Sequence, residues 1–135
     1  MGFVLDASIA LSWCFSDETS ELTSHLLARL EFEKAYVPQL WTLEMGNILI
    51  TAERKKRISF AKIAEFLSLL DELDIQVDDE TSSRGFREIL SLAHSEKLTT
   101  YDASYLELAM RLGLPLATKD IALKEAARQL GVIIL

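Results

Sequence analysis

The sequence predicts an α/β fold, a three-layer sandwich in which a central parallel sheet of about five strands is covered by helices, built as one domain over residues 1–135. Three observations lead there. Short apolar runs without alternation recur along the chain, and such runs suit strands buried on both faces of a parallel sheet. Between them lie longer stretches with apolar residues at helical spacing. Half of the residues are apolar and about a quarter charged, so the chain can build a core and lacks the bias of a disordered or fibrous protein.

Phe3-Val4-Leu5 is the first apolar run, and Asp6 stops it. Ser16-Asp17-Glu18-Thr19 supplies capping residues and first-turn acids, after which Leu22, Leu26, Leu27 and Leu30 repeat on one helical face to about Glu33. Ala35-Tyr36-Val37 reads as the second strand, because Pro38 cannot continue it. Leu40 to Arg54 predicts a strongly apolar helix, buried on most sides and closed by the basic run Arg54-Lys55-Lys56-Arg57. Ser59 caps the next helix, which sets Ile63, Phe66, Leu67 and Leu70 on one face.

Ile75-Gln76-Val77 offers a third strand, and one helix is expected from about Thr81 to Glu96. Thr99 or Thr100 opens a further helix that Gly113 ends. Residues 115–118 read as a fourth strand, Asp120 caps a helix ending at Gly131, and residues 132–135 read as a closing strand. Strands that alternate with helices imply right-handed crossovers and a ligand site at the C-terminal strand ends.

Composition also excludes several classes of function. The net charge of −7 argues against a broad basic surface for nucleic acid, although bound divalent cations can reverse the sign locally. The single cysteine, Cys14, rules out an intrachain disulfide and points to a reducing cytoplasm. No apolar run reaches the roughly eighteen residues of a membrane helix, and Asp6 comes too early for a signal peptide. The residues of a nucleotide-binding P-loop, a serine-hydrolase elbow and a zinc-protease helix are all missing. His25 and His94 read as ordinary helix residues, and the tryptophans and phenylalanines as core rather than base-stacking platforms.

Four acids remain as candidates, and each has a plain structural reading beside the functional one. Asp6 and Asp120 follow strands and precede apolar helices, so both suit a helix cap as well as a ligand site at the sheet edge. Asp102 sits in the first turn of its helix, where an acid interacts well with the helix dipole. Glu44 lies within an apolar helix, where a buried carboxylate needs a compensating partner, and Asn47 one turn on can orient it. Gathered at one edge, the four would repel one another unless a hard cation such as Mg²⁺ or Mn²⁺ intervened.

The same residues carry a family resemblance. Phe3-Val4-Leu5-Asp6-Ala7-Ser8, the stretch from Pro38 through Glu44 to Asn47, the stretch from Leu98 through Asp102 to Ala109, and Leu116-Ala117-Thr118-Lys119-Asp120 resemble, in order, the four motifs of PIN-domain nucleases. The likeness is closest to VapC-type toxins of toxin–antitoxin pairs and runs end to end. It implies Asp6, Glu44, Asp102 and Asp120 as metal-binding acids, with Ser8, Asn47 and Thr118 as supporting polar groups. It further implies Mg²⁺ or Mn²⁺ as cofactor, RNA as substrate, a cognate antitoxin as partner and a homodimer. The competing expectations are a non-catalytic interaction module of the same fold, and a receiver- or phosphatase-like domain using Asp6 as phosphoacceptor.

Overall fold

The computed structural model covers residues 1–135 and contains a parallel sheet of four strands, β1 (Gly2–Leu5), β2 (Lys34–Val37), β3 (Ile75–Val77) and β4 (Leu116–Ala117). Their order is β3-β2-β1-β4, so the chain winds outward from β1 in both directions. Phe3, Val4 and Leu5 are fully buried because β1 has a neighbour on each side and helices over each face. The fold class is the α/β sandwich expected from the alternation of apolar runs and helical stretches.

The helices are α1 (Ala7–Ser12), α2 (Glu21–Arg29), α3 (Trp41–Arg54), α4 (Phe60–Asp71), α5 (Thr81–Arg84), α6 (Leu90–Glu96), α7 (Thr100–Leu112) and α8 (Ile121–Gln129). Helix α7 packs on β1 and β4 with α6 and α8 beside it, while α1 packs with α2 and α3. Gly113 and Gly131 both adopt positive φ and end α7 and α8, as their positions in the sequence suggest. No helix is long and apolar enough to cross a membrane.

Four local expectations need correction. Residues 132–135 do not form a fifth strand, since pairing is limited to one bridge between Leu116 and Ile134 at the edge of β4. The helix expected over 81–96 is broken, with a wide turn at Gly85–Ile89 in which Arg87 leaves helical geometry (φ −114°, ψ −108°). Helix α3 buries only the stripe Trp41, Met45, Leu49 and Ala52 and leaves Leu43 and Ile48 exposed. Not every phenylalanine belongs to the core, because Phe32, Phe60 and Phe86 are exposed.

One ionic network ties the sheet to the helical layer. The Arg111 guanidinium donates to both oxygens of Asp78 (3.0 and 2.8 Å), to Glu107 (2.9 Å) and to Glu80 (3.2 Å). It thereby fastens α7 to the segment that follows β3.

Candidate active site

The register of β1 and β4 sets the centre of the site. Leu5 pairs with Ala117, and the Asp6 N–H donates to the Ala117 carbonyl at 3.0 Å, so Asp6 and Thr118 leave adjacent strand ends side by side. The Thr118 hydroxyl donates to Asp6 Oδ2 at 2.6 Å, and the Ser8 hydroxyl donates to the same oxygen at 2.8 Å. Asp6 occupies the N-cap position of α1 but makes no side-chain cap, so its carboxylate is spent on these two hydroxyls rather than on the helix. It is 6 % exposed.

Thr118 and Ser8 also anchor the other side of the edge. Thr118 accepts the Asp120 N–H at 3.1 Å, and Ser8 accepts the Lys119 N–H at 3.0 Å. Asp120 does cap α8, through Oδ1 and the Leu123 N–H at 2.8 Å, which leaves Oδ2 without a protein partner. The structural and functional readings of Asp120 are therefore compatible, one oxygen for each.

Glu44 enters from the first turn of α3 and Asp102 from the first turn of α7, whose cap is Thr99. Both are half-buried. Glu44 Oε1 accepts a hydrogen bond of 2.5 Å from the Tyr105 hydroxyl, donated across from α7 by a side chain that is fully buried. Tyr105 was legible in the sequence only as one more apolar-facing residue of its helix. The available signal was its place three residues after Asp102, which puts both on one helix face. Asn47 stands exposed and forms no side-chain hydrogen bond, so nothing in its surroundings gives it the orienting contact with Glu44 expected from spacing.

The four acids feel one another. Burial first, then the charges of Asp120 and Asp6, raise the Asp102 carboxyl above its ordinary range. Glu44 is raised by burial and by Asp6 and Asp102, against the Tyr105 hydrogen bond that favours its charge. Asp6 is raised by burial and by Asp120, against its hydroxyl and backbone donors. No Lys or Arg forms an ion pair with any of the four. Each sits at the N-terminal end of a helix, where the partial positive charge of unpaired N–H groups adds to the hydrogen bonds that Asp6 and Glu44 accept.

The donor set therefore fits a hard divalent cation: all oxygen, multiply charged, and without a competing protein cation. The fit is an open one. The acids whose oxygens lie within 4.8 Å of one another as a trio are Asp78, Asp79 and Glu80, not the quartet. That trio is the weaker candidate, because Asp78 and Glu80 are already neutralised by Arg111 and Arg84. Mg²⁺ ordinarily retains several waters, through which carboxylates set wider apart can share one ion.

These shifts predict a pH dependence for the metal-free protein. A carboxyl raised on folding contributes stability that is fully present below its unfolded pKa and is lost as pH rises through the folded value. Against the opposing effect of burial, the Arg111 hydrogen bond lowers Asp78, and the Arg29 hydrogen bond lowers Glu33; each loses its stabilisation only as pH falls through its folded value. In chelator, the unfolding midpoint is expected to rise as pH is lowered from neutral toward about 5. Asp102→Asn should flatten that slope, and a midpoint that falls over the same interval in both proteins would contradict it.

Comparison with known proteins places this architecture. The PIN domain family model matches residues 3–129, and the chain belongs to that family. PIN domains are generally nucleases. The solved structure of PAE2754 from Pyrobaculum aerophilum is 26 % identical, with a TM-score of 0.71 over 99 % of this chain and 92 % of that one. VapBC2 from Rickettsia felis, bound to a DNA fragment from their promoter, shares the fold at 17 % identity and TM-score 0.68, covering 100 % of this chain and 98 % of that one. FitAcB from Neisseria gonorrhoeae shares it at 22 % identity and TM-score 0.62, covering 100 % and 96 %. No curated protein sequence gives a significant match.

Proposed function

We propose that the chain is a single-domain, Mg²⁺- or Mn²⁺-dependent endoribonuclease of the cytoplasm, the toxin of a toxin–antitoxin pair, with Asp6, Glu44, Asp102 and Asp120 holding the metal. The observation that carries this reading is the quartet itself, mutually repelling acids with no protein cation among them. Bound there, a divalent ion would lower the pKa of a coordinated water and stabilise charge on a phosphodiester. Thr118 and Ser8 hold Asp6 in one orientation, and Asp120 caps α8 with one oxygen and has the other unengaged by the protein.

A cleft of about 330 Å³ lined by Leu40, Gly85, Phe86, Thr100 and Tyr101 adjoins Asp102 through Tyr101. Phe86 and Tyr101 are 94 % and 63 % exposed, and such faces suit unpaired bases, which supports RNA as substrate. Exposed Leu22, Phe60 and Leu67 on α2 and α4 support a homodimer and an antitoxin as partners, in keeping with the family resemblance. A receiver-like role for Asp6 is disfavoured, because the Lys119 ammonium that would assist it is bound to the Glu18 carbonyl at 3.3 Å.

Cleavage of single-stranded RNA by the purified chain, restored to a chelator-treated sample by Mg²⁺ or Mn²⁺, tests the proposal. Glu44→Gln should then fold with equal or higher stability, bind Mn²⁺ poorly in calorimetry and cleave poorly. Metal binding without cleavage of any RNA favours the interaction module, and unaltered metal affinity in Glu44→Gln removes Glu44 from the site.

A further inference from the structure

Glu44 differs from the other acids in how it is held. Asp6 is fixed by two hydroxyls and Asp120 by a backbone N–H, both within a few residues of a strand end. Glu44 projects from a helix on a longer, freely rotating stem, and its one hydrogen bond comes from Tyr105, 61 residues away in sequence. We propose that Tyr105 is the positioning residue for Glu44: its buried hydroxyl fixes Oε1 and leaves Oε2 free for the cation that the quartet would hold. This role rests on the metal-dependent reading above.

The chemistry of the pair supports it. Tyr105 is 0 % exposed, and a hydroxyl so placed is costly unless it is bonded, whereas packing alone would be served as well by a phenyl ring. Its partner is one carboxylate oxygen at 2.5 Å, the length of a charge-assisted O–H···O⁻ bond. Helix α7 thus presents two groups to the site from one face, Asp102 as a candidate ligand and Tyr105 as the group that orients a ligand on another helix. Partners one shell out from a metal commonly set its affinity by about ten- to a hundredfold.

Calorimetric Mn²⁺ binding to wild type, Tyr105→Phe, Glu44→Gln and the double variant tests the proposal, with metal-free thermal unfolding of each. Tyr105→Phe is expected to weaken Mn²⁺ binding by about ten- to a hundredfold. In the Glu44→Gln background the same change should cost nothing further, since it acts through Glu44. Unchanged affinity in Tyr105→Phe, or equal losses in both backgrounds, overturns the role of Tyr105 and leaves the metal reading intact. A wild-type protein that binds no Mn²⁺ removes both. Where Tyr105→Phe does not fold, the chain labelled with 3-fluorotyrosine serves instead, its three tyrosine signals assigned through Tyr36→Phe and Tyr101→Phe. The Tyr105 signal is expected to shift on Mg²⁺ saturation, and a signal insensitive to Mg²⁺ overturns the proposal.

Discussion

Asp6→Asn is expected to reduce metal-dependent RNA cleavage by about a thousandfold, because a metal's stabilisation of transition-state charge is worth several kcal/mol and each 1.4 kcal/mol is a factor of ten. The amide keeps the shape of the side chain, and its oxygen can still accept the Thr118 and Ser8 hydroxyls. What disappears is the charge, at the most buried acid of the quartet. The metal-free variant should unfold at the same or a higher temperature than wild type at neutral pH, since burial and Asp120 oppose ionisation of Asp6. Asp79→Asn supplies the contrast. Asp79 is exposed within the other acidic trio, so cleavage at the wild-type rate is expected, and a loss there with retention in Asp6→Asn would move the metal to residues 78–80.

The largest effect on stability is expected from Arg111→Met. Three of the groups involved are mostly withdrawn from solvent, with side-chain exposures of 16 % for Arg111, 11 % for Asp78 and 9 % for Glu107. Removing the guanidinium leaves Asp78 without an ion-pair partner and Glu107 with only the longer contact to Arg84 at 3.7 Å, and breaking such a buried pair costs about 3–5 kcal/mol. Partial solvent access places the expected loss near about 3 kcal/mol, read from denaturant unfolding at neutral pH. A loss under about 1 kcal/mol would mean that the network behaves as an exposed ion pair. Metal affinity of the folded fraction should be unchanged.

Much of the fold could be read from residue patterns because its central strand is buried throughout and short apolar runs mark the others. Phe3-Val4-Leu5 announces a strand that water does not reach from either side, Ala35-Tyr36-Val37 one that buries Ala35 and Val37, and Asp6 and Pro38 mark their ends. The break near Arg87 was not legible, since apart from Gly85 the stretch 81–96 carries ordinary helical residues. Residues 132–135 look like a strand by composition, yet edge pairing depends on register with Leu116, which composition does not encode. The exposure of Leu43 and Ile48 depends on which elements α3 meets, another long-range matter.

The site follows the same division. Asp6 and Asp120 stand out as candidates by their positions at strand ends, and Asp102 by its place at the start of α7. Ser8 and Thr118 lie within two residues of these acids, close enough for local geometry to imply their bonds. Tyr105 escaped because its partner is on a different helix, and Asn47 misled because helical spacing alone takes no account of the tertiary partner that actually reaches Glu44.

The bond between Thr118 and Asp6 joins groups 112 residues apart, and it closes the strand pair on which the acidic edge depends. A ribosome therefore synthesises most of this chain before β4 can add to β1 and before Asp120 exists. Until then the nascent polypeptide carries Asp6, Glu44 and in time Asp102, but never the complete set of acids. On the proposed ribonuclease reading, the chain is made within reach of messenger, transfer and ribosomal RNA, and this topology delays assembly of the acidic edge until the last fold-defining strand has emerged.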